Sequence, residues 1–163
     1  MKTLFTSEQI QARIQQLADQ IDSDFADKHP IFLPVLNGSF RFASDLMHHI
    51  AIPAEMDFIK IKSYQGTDSN ELEEVTGLDT SLRGRDVIIV EDIVDTGQTL
   101  THLLEMLKAH EPSSIKVCSL LSKSAKHSHQ IDYLGFDIED HFVIGYGLDL
   151  DGKHREMNDI CLA

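Results

Sequence analysis

Val87-Ile88-Ile89-Val90-Glu91-Asp92-Ile93-Val94-Asp95-Thr96-Gly97-Gln98-Thr99-Leu100 is the stretch whose reading decides the fold. It opens on a β-branched run, the composition of a strand buried on both faces of a sheet, and the acidic pair Glu91-Asp92 is expected to terminate that strand. Thr99 to Lys108 then carries Leu100, Leu103, Leu104 and Leu107 at helical spacing, and beyond Pro112 a second apolar run covers Ile115 to Leu121. A strand, a helix and a strand of these lengths imply parallel pairing through a crossover. In open parallel sheets ligands bind beyond the carboxyl ends of the strands. The acids, the glycine and the hydroxyls of this stretch fall at that point.

Working outward, residues 7 to 24 place Ile10, Ile14, Leu17 and Ile21 at spacings of a helix, with Thr6 and Gln9 in capping-box register. Ile31 to Leu36 reads as a short strand that ends at Asn37-Gly38-Ser39, and helical periodicity resumes over Phe40 to Ile50. Met56 to Tyr64 alternates apolar and polar residues, the pattern of a strand exposed on one side. Gln65 to Glu74 is polar and is expected to be an exposed mobile loop, with Val75 to Leu78 as the return strand. In the tail, Tyr133 to Phe136 and Phe142 to Ile144 are short apolar pieces between acidic turns. The expectation is one α/β domain over residues 1–163 with a mainly parallel sheet.

Composition bounds the function. With 163 residues, 42% hydrophobic and 25% charged, the chain can bury a core without staples. Lys plus Arg number 14 against 27 Asp plus Glu, a formal charge of -13, which argues against nucleic acid as a partner. Cys118 and Cys161 sit in apolar surroundings without metal spacing and read as buried thiols, favouring a reducing compartment. No apolar run has the length of a membrane span, and MKTLFTSEQI turns polar too early for a signal peptide, so the cytoplasm is expected. His127 and His129, and the pair His48-His49, read as surface histidines. There is no G-x-x-x-x-G-K-[ST] loop, and Gly145-Tyr146-Gly147 lacks the third glycine of a dinucleotide fingerprint.

The chemistry therefore rests on Asp95-Thr96-Gly97-Gln98-Thr99. Successive backbone N–H groups, two hydroxyls and a following helix N-terminus make an anion cradle suited to a phosphomonoester. Two carboxylates beside such a cradle make sense when they face ribose hydroxyls or a divalent cation. Each residue also has an ordinary reading: solvated acids at a strand end for Glu91-Asp92, a turn dipeptide for Asn37-Gly38, a surface lysine for Lys123, core for Phe142, an ion pair within the acidic tail for Asp149 and Arg155.

Order and spacing together point past those readings. A hydrophobic run, two acids, two aliphatics, then Asp-Thr-Gly and a further Thr resembles the phosphoribosyl pyrophosphate (PRPP) signature of the type I phosphoribosyltransferases. Leu36-Asn37-Gly38, Lys62-Ser63-Tyr64, Ser119 to Lys123, Phe142 to Tyr146, Leu148-Asp149 and Arg155 resemble, in that order, the hypoxanthine-guanine branch of the family. The resemblance covers nearly the whole chain. It implies a central mainly parallel sheet flanked by helices with a small hood.

The same resemblance implies roles. Glu91 and Asp92 would hold the ribose hydroxyls of PRPP, and Asp95, Thr96, Gly97, Gln98 and Thr99 would wrap the 5′-phosphate. Asp95 would also act at purine N7 as general base or acceptor. Lys123 would donate to the 6-oxo oxygen, which fits hypoxanthine or guanine and opposes the amine of adenine. Phe142 would stack on the base and the Val143 backbone would meet its other edge. Asp149, with Glu91 and Asp92, would hold Mg²⁺, and Arg155 would bind pyrophosphate, as would the backbone at Asn37 and Gly38; many relatives carry lysine at Asn37. Ser63 and Tyr64 would open the family's mobile flap. Homodimers or homotetramers are implied as well. The competing reading is a regulatory protein on the same fold that senses PRPP or nucleotide.

Overall fold

The computed structural model describes residues 1–65 and 71–163, apart from the side chains of 63–65 and 71–74. The strand order of the larger sheet is β5(Glu71–Thr76), β4(Ile59–Gln65), β2(Ile31–Leu36), β6(Asp86–Val94), β7(Ser114–Ser122), β8(Tyr133–Asp137), with β3(Glu55–Met56) also on β2. β2, β6, β7 and β8 pair in parallel, and β4 pairs antiparallel with β5. The helices are α1(Ser7–Asp24), α2(Phe40–His49) and α3(Gln98–Lys108).

β6 is central because its side chains alternate between two apolar layers. Ile88 and Val90 join the layer built by Ile10, Ile14, Leu17 and Ile21 of α1 and Phe42 and Leu46 of α2. Val87 and Ile89 join the opposite layer with Leu100, Leu103 and Leu107 of α3. All of these are essentially shut off from water, and each such side chain contributes on the order of 1.5–3 kcal/mol of burial. α1 starts as its sequence demands: Gln9 N–H donates to Thr6 Oγ1, and Thr6 N–H donates to the Gln9 side chain.

Four expectations need correction. β6 does not stop at the acidic pair but runs on to Val94, because Glu91, Ile93 and Val94 still find partners on β7. The strand foreseen over Met56 to Tyr64 is two pieces: β3 pairs with the start of β2 and β4 with its end. Asp57 makes the break. Its carboxylate accepts from the N–H groups of Phe58, Asp79 and Thr80 and so draws the chain aside. The loop foreseen over Gln65 to Glu74 falls partly on residues 66–70, outside the described ones; at its flanks Gln65 ends β4 and Glu71 already begins β5. Last, β1(Lys2–Phe5) and β10(Ile160–Leu162) were not foreseen. They pair with β9(Val143–Ile144) in a small separate sheet of order β1-β10-β9, the place of the expected hood. Among the described residues no helix is long and apolar enough to cross a membrane, and both cysteines are buried free thiols.

Candidate active site

The parallel pairing brings the carboxyl ends of β2, β6 and β7 side by side, and the loops that leave them carry the chemistry. After Val94 the chain turns through Asp95-Thr96-Gly97 and enters α3. Gly97 takes a left-handed conformation (φ 81°) that an L side chain adopts at a cost. Thr101 N–H donates to Gly97 O at 2.9 Å, closing the first helical turn. The groups ahead of it point into a cleft of about 110 Å³ lined by residues 93–100 and Glu91. Gln98 N–H reaches Thr96 Oγ1 only at 3.4 Å, a weak bond that an anionic oxygen would replace readily.

A second cleft of about 220 Å³ shares Glu91, Ile93 and Thr99 with the first and continues to Leu36, Gly38 and Asp92. The Leu36–Asn37 peptide is cis. Gly38 lies directly over Asp92, where a Cβ would strike the carboxylate. Behind this loop, the carbonyl of Gly38 comes so close to Gly147 that a Cβ there would meet it at 2.6 Å. Arg155 donates to Gly147 O at 2.5 Å and pairs with Asp149 Oδ1 at 2.8 Å, while Asp149 Oδ2 accepts from Gly152 N–H at 2.7 Å. Burial pushes the Asp92 carboxyl up to about 6, and the charge of Asp149 adds to the rise; the Ile93 N–H and Arg155 oppose it. The expected trio of Asp149, Glu91 and Asp92 is not gathered into one cluster, since among the described residues no three acids or histidines stand close enough to hold a metal; Asp92 and Asp149 offer hard oxygen donors to an Mg²⁺ that would arrive with substrate phosphates.

The third group lies across β7. Lys123, 7% exposed in its side chain, donates to Asp95 Oδ2 at 2.8 Å and to Asp140 Oδ1 at 3.0 Å. Lys126 bridges the same two acids: its ammonium is 3.1 Å from Asp140 Oδ1 and 2.7 Å from Asp95 Oδ1. That last contact is an ion pair off the hydrogen-bond axis to an oxygen shut off from solvent. Burial would raise the Asp95 pKa, but the two lysines outweigh it and hold the carboxyl below its ordinary value. Burial likewise works against the Lys123 ammonium, and its two carboxylates outweigh that and raise its pKa. Phe142 stands 57% exposed just past Asp140, an open aromatic face beside this cluster, and Val143 begins β9.

The residues singled out from the sequence thus gather at one end of the sheet, in three adjoining groups. Ser63 and Tyr64 belong to β4 by backbone register, and their side chains lie outside the described residues. Five contributors were missed. Lys126 and Asp140 meet Asp95 only through the 3₁₀ turn Ser124–Lys126 and the bend after β8, although a lysine three residues after Lys123 is a turn-neighbour pattern that the sequence does hold. Arg41 donates to the carbonyls of Met157, Glu156 and Arg155 at 2.6, 3.2 and 3.4 Å and lies over the Tyr146 ring, so α2 supports the loop that carries Arg155. His127 and His129, expected on the bare surface, instead pack against Gly97.

A doubly covered sheet whose central strand carries paired acids and runs on into an Asp-Thr-Gly turn at a helix start defines the type I phosphoribosyltransferase class. The family profile described as "Phosphoribosyl transferase domain" matches residues 1–151. The hypoxanthine-guanine phosphoribosyltransferase of Bacillus subtilis (strain 168) is 38% identical over 160 residues, 96% of this chain and 89% of that protein. The hypoxanthine-guanine-xanthine phosphoribosyltransferase of Tritrichomonas foetus is 39% identical over 96% of this chain and 87% of its own. A crystal structure of a hypoxanthine-guanine phosphoribosyltransferase from Bacillus anthracis, with HEPES in the active site, superposes with a TM-score of 0.90 at 36% identity, covering 100% of this chain and 98% of that one. The chain belongs to the phosphoribosyltransferase family, in its hypoxanthine-guanine branch.

Proposed function

We propose that this chain, as a single catalytic domain, is a purine-salvage transferase that moves the phosphoribosyl group of PRPP to N9 of hypoxanthine or guanine, giving IMP or GMP and pyrophosphate. The observation that carries the reading is the pair of adjoining clefts on either side of Glu91. One is walled by residues 95–99 and fits the 5′-phosphate; the other leads past Asp92 to Gly38 and fits the pyrophosphate. The ribose lies between them, its hydroxyls accepted by Glu91 and Asp92.

Breaking the bond from the anomeric carbon to pyrophosphate develops positive charge on the sugar and negative charge on the leaving group, and fixed opposite charges lower both. Arg155 and the backbone at Asn37 and Gly38 meet the leaving group. Asp149, with Asp92 and Glu91, would hold Mg²⁺ brought in by the substrate phosphates, and the ion would neutralise the pyrophosphate. Asp95, kept ionised by its lysines, accepts the N7 proton or a hydrogen bond from the base as N9 attacks. Lys123 turns part of its donor capacity from Asp140 to the 6-oxo oxygen, Phe142 stacks on the ring, and the Val143 backbone binds the opposite edge. Ser63 and Tyr64, at the end of β4, meet PRPP and help to keep water from it. The working form is a homodimer or homotetramer, as self-association is usual in the family.

The test is nucleotide formation followed by absorbance with PRPP and Mg²⁺, in parallel for hypoxanthine, guanine, xanthine and adenine. Hypoxanthine and guanine are converted and adenine is not. Conversion of adenine would remove Lys123 from its role, and no conversion of any base would remove the reaction.

A further inference from the structure

The carbonyl of Gly97 accepts three hydrogen bonds: from Thr101 N–H at 2.9 Å, from the Thr101 hydroxyl at 2.9 Å, and from His129 Nε2 at 3.0 Å. The same ring nitrogen lies 2.7 Å from Thr101 Oγ1. Because the Thr101 hydroxyl proton already points at the carbonyl, the contacts are all satisfied when His129 carries its proton on Nε2 and shares it between Thr101 Oγ1 and Gly97 O. His129 is itself held. Its backbone N–H donates to His127 Nδ1 at 3.2 Å, and His127 Nε2 lies 2.9 Å from Ser122 Oγ at the end of β7. A Cβ at Gly97 would meet His129 Cδ2 at 2.5 Å and His127 Cβ at 3.1 Å, so the two histidines form the back wall of the turn.

A trans peptide is planar, and its carbonyl and N–H point in opposite directions. Fixing Gly97 O on the histidine side therefore turns the N–H of Gln98 the other way, toward Thr96 Oγ1 at 3.4 Å, at the cleft of about 110 Å³ that both residues line. We propose that His129 is a positioning residue for the phosphate loop: its Nε2–H, donated to the Gly97 carbonyl, sets the plane of the Gly97–Gln98 peptide and so the aim of the Gln98 N–H at the 5′-phosphate. His129 touches neither base nor ribose. The inference rests on the phosphoribosyl reading above and adds to it the residue that orients the loop.

The test uses His129→Leu, which fills the space without a donor, and His129→Gln, which keeps an N–H of similar reach. Binding of IMP and of inosine, which differ only by the 5′-phosphate, is measured calorimetrically on the full chain. His129→Leu weakens IMP about tenfold, the size of one lost charge-directed hydrogen bond, and leaves inosine within about twofold. In turnover the KM for PRPP rises while the KM for hypoxanthine holds, and His129→Gln recovers most of both losses. Equal weakening of IMP and inosine, or unchanged IMP binding in His129→Leu, overturns the proposal. If the unaltered protein binds inosine but gains nothing from the phosphate of IMP, the phosphoribosyl reading itself falls, and the role of His129 with it.

Discussion

Asp92 and Asp95 stand three positions apart on one strand and the turn that follows it, yet their carboxyls are driven in opposite directions. Asp92 lies under Gly38 with Asp149 near it and a single arginine to offset the two, and its pKa is pushed up to about 6. Asp95 is the more open of the pair and has the ammonium groups of Lys123 and Lys126 against its two oxygens, which hold it low. Burial with one arginine that is itself paired to Asp149, and burial with two lysines in contact, give one acid ready to receive positive charge and another already saturated with it. The first suits a group that waits for a metal and ribose. The second suits a permanently ionised acceptor facing the base.

The sharpest way to break this contrast is to remove the charge at the saturated end. Asp95→Asn is expected to lower kcat about 10²–10⁴-fold while PRPP binding is mostly kept, because the acceptor at N7 is lost and the phosphate-binding N–H groups are not. Steady-state kinetics with a PRPP titration checks this; unchanged turnover would remove Asp95 from the chemistry.

At the other end, Asp92→Asn is expected to stabilise the unliganded protein. A carboxyl whose folded pKa lies above its unfolded value of 3.8 binds more protons when folded, so it costs stability once the pH rises past about 6, and the cost vanishes below 3.8. The gap corresponds to on the order of 3 kcal/mol as an upper bound. Denaturant unfolding should show the variant's gain at about pH 8 and its disappearance near pH 4, with PRPP binding impaired at either pH.

The smallest effect is expected from Lys126→Met, which leaves Lys123 in place and takes one of two cations from Asp95. The Asp95 carboxyl then moves up toward its ordinary value. For a carboxyl held low, the linked stability is present above the unfolded pKa and lost as pH falls through the folded one, so the variant is the less stable protein near neutrality and the difference vanishes in acid. Turnover near neutrality changes less than about threefold, and the acid limb of the pH–rate profile shifts upward. A shift of equal size in Asp95→Asn would show that the limb belongs to another group.

How far all this was legible in the sequence differs from place to place for physical reasons. α1 was fully legible, since its cap and its apolar stripe are local patterns that tertiary structure had only to accept. The extent of β6 was not: carboxylates normally end a buried strand, and nothing local reveals that β7 continues beside them to Ser122. β1 and β10 were illegible because strands of four and three residues hold too little alternation, and they exist only through each other. In the site, Asp95 to Thr99 and the acidic pair could be read from consecutive residues. Lys126 and His129 reach the same turn from 31 and 32 positions away and Asp140 joins it through the two lysines, and apart from the spacing of Lys126 to Lys123 a single sequence carries no sign of such meetings.

Gly38 and Gly147 meet at one corner of the site, one pressed on the Asp92 carboxylate and the other on the carbonyl of Gly38 itself. In terms of sequence drift, they behave as interlocked letters. Alanine at 147 would need φ near +96° as well as room that the facing backbone occupies, and alanine at 38 would displace the acid that gives the corner its purpose. At Gly38 the obstacle is a side chain that could swing aside, but at Gly147 backbone meets backbone, so that position can vary only by moving both loops together.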